Sequence, residues 1–167
     1  NPSAGNLGGG GFMLIYNAIE DELITIDYRE KAPLKAYEKM YQDNNGNVIE
    51  GLSTNSILAS GVPGTVAGLF YALENYGTWD IKPLVQPSIE LAKKGFFLSS
   101  FQSKNLNRYK DKFIKNEDSK RIFTKPNGFK ENDLLIQKDL ARTLEKISAN
   151  GIKEFYTGET SKKIINF

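Results

Sequence analysis

The 167-residue chain is long enough for one domain, and its 40% hydrophobic and 25% charged fractions are those of a globular protein. A net charge of +2 with interspersed signs gives no electrostatic footprint for nucleic acid. Lacking cysteine and histidine, the chain holds no disulfide, no thiolate metal site and no imidazole base, and no apolar run approaches the roughly 20 residues of a membrane span.

The chain opens on Asn1 rather than methionine, and a run of four glycines, Gly8 to Gly11, leads straight into an apolar stretch. This arrangement predicts an internal segment of a longer precursor, with any export signal upstream. Residues 12–16 and 23–28 read as two strands joined by a short polar hairpin connection, Asn17 to Glu22. Phe12 to Tyr16 are apolar on both alternating faces, which predicts a central strand covered on both sides. In the second strand Ile24, Ile26 and Tyr28 share one face, and Thr25, Asp27 and Arg29 the other. That alternation delivers Arg29 to a polar surface.

Pro33 to Tyr41 reads as a short helix, and Asn45-Gly46 as a turn within a loop over 42–47. Pro63 opens a helix with a buried stripe of Val66, Leu69, Phe70 and Leu73, and Gly77 fits the position just after it. Asp80 is placed to cap the next helix. Pro87 predicts a kink or restart before Ser88 to Lys94, and Gly95 ends it. Residues 98–133 are polar and lysine-rich, which predicts short helical turns and loops. Ile136, Leu140, Leu144 and Ile147 mark the clearest helix, over 134–149, capped by Asn132 or Asp133 and stopped by Gly151. Residues 157–166 read as a last short helix. Tyr37, Tyr41, Phe70, Tyr71, Phe96 and Phe97 read as core or half-buried packing.

The glycine run precedes a strand, and no Lys-Ser/Thr follows it, so the context of a nucleotide loop is missing; the run reads as a tight, closely packed lead-in to the strand. Ser60 and Thr65 flank glycines without Gly-x-Ser-x-Gly and without a base, so neither takes a catalytic role. No carboxylate pair suggests a glycosidase dyad, and neither a metal nor a cofactor is expected. Arg29 is the sharpest candidate. A guanidinium at a strand end holds a carboxylate with two parallel hydrogen bonds where lysine supplies only charge. The residues alone leave open a structural ion pair with Asp27 or Glu30.

Three ordered segments carry a resemblance: the glycine run entering Phe12-Met13-Leu14-Ile15-Tyr16, the segment Asp27-Tyr28-Arg29-Glu30-Lys31-Ala32-Pro33, and Gly61-Val62-Pro63-Gly64-Thr65-Val66-Ala67-Gly68. Leu73 to Thr78, Val85 to Phe96 and Asn150 to Gly158 extend it over essentially the whole chain. Together these segments resemble the large subunit of the γ-glutamyltranspeptidases, of bacterial type. The resemblance implies an α+β, αββα N-terminal nucleophile (Ntn) hydrolase sandwich. Of this sandwich, residues 1–167 form a single partial domain with two recognisable strands and a mainly helical remainder. It implies that Arg29, with Glu30, Ala32 and Pro33 matching its neighbours, binds the α-carboxylate of a γ-glutamyl group. It implies cleavage of glutathione and related γ-glutamyl compounds and transfer of the acyl group to water or an amine. The nucleophile is then the N-terminal threonine of a small subunit cut from the same precursor. Thr25, Thr54 and Thr65 are internal, so no catalytic residue lies in this chain, which is expected to be silent alone. The resemblance further implies a periplasmic or secreted protein. Sheet edges that normally meet missing chain leave room for a dimer of the fragment. A related acylase acting on glutaryl, cephalosporin-type or poly-γ-glutamate substrates, and a non-catalytic scaffold of the same fold, are the alternatives.

Overall fold

The computed structural model describes residues 7–166. Asn1 to Asn6 of the opening segment, and the terminal Phe167, lie outside the described residues. The chain divides into two compact units, Asn1–Thr78 and Trp79–Phe167. The architecture is α+β, with two small antiparallel sheets and a helical majority.

In the first unit, strands β1 (Phe12–Asn17) and β2 (Glu22–Asp27) form the expected hairpin, with Met13 opposite Ile26 and Ile15 opposite Ile24. Each strand runs one residue further into the connection than the alternation predicts, and Asp21 takes the left-handed turn position. Met13, Ile15, Ile24 and Ile26 are half-buried on one face. The other face corrects the expectation of a strand covered on both sides. Phe12 is 67%, Leu14 71% and Tyr16 62% exposed, because no described element lies over them.

Residues 33–41 form no helix. They make separate tight turns, closed by Ala36 N–H to the Pro33 carbonyl (2.9 Å) and Met40 N–H to the Tyr37 carbonyl (3.1 Å). Leu34 and Tyr37 are exposed, so the segment has no buried apolar face to repay helix nucleation. The Asn45-Gly46 turn forms as expected. Asp43 accepts the Asn47 and Asn45 N–H groups, each at 2.9 Å, and the bonds from Asn47 above all hold its carboxyl below the usual carboxylate range. A short helix α1 (Leu52–Asn55) and a 3-10 turn, Ile57–Ala59, follow. Helix α2 (Thr65–Tyr76) starts two residues after Pro63 and buries Val66, Gly68 and Phe70. Leu73 is half-buried, whereas Leu69 is 46% exposed and leaves the predicted stripe. Gly77 closes the helix by donating to the Leu73 carbonyl, but at an ordinary negative φ.

In the second unit α3 (Ile81–Lys94) packs against α7 (Lys138–Asn150), and Ile89, Ala92, Ala141 and Ile147 are buried. Asp80 holds the cap position of α3 without a capping bond from its side chain. Pro87 does not break α3, which continues through it to Lys94. Burial of Ile89 and Ala92 beyond the proline outweighs the one lost hydrogen bond. Pro87 itself is exposed. Replacing it with alanine restores an N–H to a helix interior and removes a ring that clashes with the preceding turn. Pro87→Ala is expected to raise the unfolding free energy by about 1–2 kcal/mol, after allowing for the freer unfolded chain. Urea denaturation reads this as a higher midpoint, and an unchanged or lower midpoint contradicts it.

Strands β3 (Phe96–Phe97) and β4 (Leu134–Leu135) pair with each other, which corrects the predicted start of α7. Leu134 and Leu135 are taken by the sheet, so the helix begins at Lys138 with Gln137 in the cap position, and Ile136 is left 39% exposed. Asn132 and Asp133 therefore cap nothing; the Asp133 carboxylate accepts the Lys130 N–H at 2.8 Å instead. Gly95 and Gly151 terminate α3 and α7 at positive φ, as expected. Between the β3 and β4 strands lie α4 (Ser100–Arg108), α5 (Lys110–Phe113) and α6 (Glu117–Phe123), the short helices expected there. A core of Leu98, Leu106, Phe129 and Leu135 sits beneath them, flanked by Phe96, Phe113 and Phe123. Phe70 joins the core of its own unit, but Tyr37, Tyr71 and Phe97 are exposed rather than packed. The chain closes with α8 (Ile152–Tyr156) and α9 (Glu159–Ile165). Glu154, 7% exposed, accepts the Thr160 hydroxyl (2.9 Å) and backbone N–H (3.1 Å) in the first turn of α9.

Candidate functional site

Asp27 ends β2, and its Oδ1 accepts the Arg29 N–H at 3.0 Å. This local bond turns the backbone out of the ladder just where Arg29 leaves the strand. Tyr28 stays on the buried side, as its alternation predicts. Its N–H donates to the Gly11 carbonyl at 3.0 Å. Lys31 then forms a two-bond bridge with Val62, donating at 3.1 Å and accepting at 2.7 Å. The segment 28–31 is thereby clamped between the glycine run and the segment that leads into α2.

Both flanking segments are glycine-rich because the backbones come too close for side chains. A Cβ at Gly10 would stand 2.6 Å from the Tyr28 carbonyl oxygen and 2.7 Å from the Arg29 Cα. A Cβ at Gly64 would fall on the Tyr28 carbonyl oxygen, and one at Gly68 on the Tyr28 ring. The Gly64 and Thr65 N–H groups, at the start of α2, donate to the Gly9 carbonyl at 2.9 and 3.0 Å. Gly9, Gly64 and the Tyr28 backbone therefore form one closely packed unit beneath Arg29. The tight lead-in expected of the glycine run is present, and its packing partner is the Tyr28–Arg29 backbone.

The Arg29 side chain is 65% exposed. Its guanidinium lies 5.9 Å from the Phe12 ring centre, and its Nε stands 3.8 Å from Glu30 Oε2. The pair with Glu30 is long and wet, so it adds little stability and leaves the planar fork available. Asp27 forms no ion pair with the guanidinium; it takes the backbone N–H instead. The ion-pair alternative is thus present only in its weaker form.

Arg29 borders a cleft of about 620 Å³. Lys31, Pro33, Met40, Tyr41 and Ser60 contribute to its walls. Tyr41 donates its hydroxyl to the Leu58 carbonyl at 2.9 Å and so ties the 33–42 turns to the 57–59 turn. Sequence pattern gives no sign of this wall, because the contacts that build it are long-range and lie in turns. Ser60 lines the cleft with no described base beside it, and Thr65 acts through its backbone at the start of α2. Among the described residues no group of acidic, histidine or cysteine side chains is arranged to hold a metal ion. An exposed guanidinium on a fixed backbone, beside a cleft of ligand size, is equipped to bind and orient a carboxylate.

A family model described as gamma-glutamyltranspeptidase matches residues 1–167. The chain belongs to the γ-glutamyltranspeptidase family. A glutathione hydrolase proenzyme of Pseudomonas sp. (strain A14) is 48% identical over 166 residues, which are 98% of this chain and 29% of that protein. The crystal structure of Helicobacter pylori γ-glutamyltranspeptidase superposes with a TM-score of 0.93 at 45% identity, over 98% of this chain and 47% of that one. The cephalosporin acylase of Bacillus halodurans has a TM-score of 0.76 at 17% identity, over 98% of this chain and 31% of that one, a likeness of fold alone. The fold is therefore part of the Ntn-hydrolase architecture that transpeptidases and acylases share, as the resemblance implies. The chain spans less than half the length of each of these relatives.

Proposed function

We propose that residues 1–167 form an internal, partial domain of the large subunit of a γ-glutamyltranspeptidase precursor, and that Arg29 binds the α-carboxylate of the γ-glutamyl substrate. The observation that carries this reading is the presentation of Arg29. Its backbone is wedged against glycines on two sides, while its guanidinium is exposed at the edge of the cleft. A γ-glutamyl group has its α-carboxylate separated from the scissile carbonyl by three carbons. Fixing the first holds the second in the site, so a side chain that touches no reacting atom raises kcat/KM.

The chemistry belongs to the small subunit. Its N-terminal threonine hydroxyl attacks the γ-amide carbonyl while its own α-amine takes the proton. The tetrahedral oxyanion collapses, the amine departs with a proton, and an acyl ester remains. Water or an acceptor amine then attacks that ester. Glutathione is the natural donor on this reading, the small subunit is the partner, and export to the periplasm or beyond follows the habit of bacterial members. No described helix is long and apolar enough to cross a membrane.

The test uses the matured, complete protein. Release of aniline from a γ-glutamyl anilide is compared with release from a glutaryl anilide, which keeps the distal carboxylate but lacks the α-amine. Preference for γ-glutamyl is expected. Preference for glutaryl moves the protein to the acylase branch, and activity on neither removes the enzymatic reading for these donors.

A further inference from the structure

Arg29 is not the only cation on this wall of the cleft. Lys31 also lines it. Its backbone is held by both hydrogen bonds of the Val62 bridge, so the base of the side chain is fixed. Lys31 is exposed, and among the described residues it has no ion-pair partner. Among the described residues, the one acidic side chain lining the cleft is Glu30, which stands against Arg29. The wall therefore carries two cations against one carboxylate, a surplus of one positive charge.

We infer that Lys31 is a specificity-determining residue that binds a second carboxylate, the one on the amine partner of the reaction. This inference rests on the reading of Arg29 above. A γ-glutamyl peptide such as glutathione carries two carboxylates, one on the glutamyl end and one at the C-terminus of the leaving peptide. Attack of an acceptor amine on the acyl ester retraces, in reverse, the departure of the leaving amine. Leaving peptide and acceptor therefore share one place, and a cation that reads the carboxylate of one reads that of the other. Lysine suits the task, since a single mobile ammonium follows a flexible peptide end better than a rigid fork does.

The experiment measures transfer from a γ-glutamyl anilide to glycylglycine and to glycylglycine amide in the matured, complete protein. The wild type is expected to favour the free carboxylate by about three- to tenfold in kcat/KM for acceptor, the range of a partly solvated charge-assisted contact. Lys31→Gln should bring that ratio close to one, through the KM of glycylglycine, and Lys31→Arg should restore most of it. An unchanged ratio in Lys31→Gln overturns the inference, as does equal use of both acceptors by the wild type. Absence of anilide cleavage in the wild type instead overturns the γ-glutamyl reading itself, so the two failures are distinguishable.

Discussion

Arg29→Lys is expected to lower kcat/KM for a γ-glutamyl anilide by roughly 10- to 150-fold in the matured enzyme. Arg29→Ala should lower it further. The size follows from what lysine keeps and what it loses. Charge is kept, but the planar pair of N–H donors that matches a carboxylate is lost, and a hydrogen bond to a charged group contributes about 1.5–3 kcal/mol. The α-carboxylate is unchanged between ground and transition states, so most of the effect should appear in KM. Stability should barely move, because Arg29 is exposed and its ion pair with Glu30 spans 3.8 Å. A loss of the same size in kcat alone, or a marked fall in unfolding midpoint, contradicts this assignment.

Gly64→Ala is the second large effect. Gly64 has φ −104°, so alanine meets no conformational objection there. The obstacle is space, because the new methyl would fall on the Tyr28 carbonyl oxygen, a backbone atom that no rotamer change can withdraw. The Tyr28–Arg29 segment must move away by about an ångström or more, and displacement on that scale costs roughly 100-fold in rate. Overpacking adds a stability loss of about 1–3 kcal/mol. Gly46→Ala is the contrasting control. Gly46 has φ +85° with nothing within 4 Å of a Cβ, so alanine there strains a remote turn but leaves Arg29 in place. Kinetics and urea denaturation of both variants check the argument. Near-wild-type activity in Gly64→Ala would show that the glycine cradle does not position Arg29.

The legible parts of the chain were those written in local pattern. Alternation in 23–28 put Tyr28 inside and Arg29 outside, and the structure places both accordingly. The positive-φ glycines at 95 and 151 ended their helices where expected. Errors arose where a distant partner decided the outcome. Leu134 and Leu135 lie within the predicted helix bounds, yet Phe96 and Phe97 take them into a sheet. Pro33 to Tyr41 has a helix-opening proline but no described surface to bury a face against. Pro87 signalled a break that packing of α3 on α7 overrides. The Ser99–Gln102 capping box that starts α4 was present in the sequence as Ser-x-x-Gln. At the site, Arg29 was legible as a strand-end guanidinium. Its glycine cradle and the Tyr41–Leu58 tie were not, since they join segments far apart in sequence.

The most direct measurement pairs the protein change with a matching substrate change. Wild type and Arg29→Ala are each assayed on a γ-glutamyl anilide and on the same compound with its α-carboxylate converted to the carboxamide. If Arg29 reads that carboxylate, the wild type discriminates strongly between the two substrates and Arg29→Ala hardly does, so the two losses do not add. If Arg29→Ala keeps the full preference for the carboxylate, some other group reads it, and the central claim is wrong.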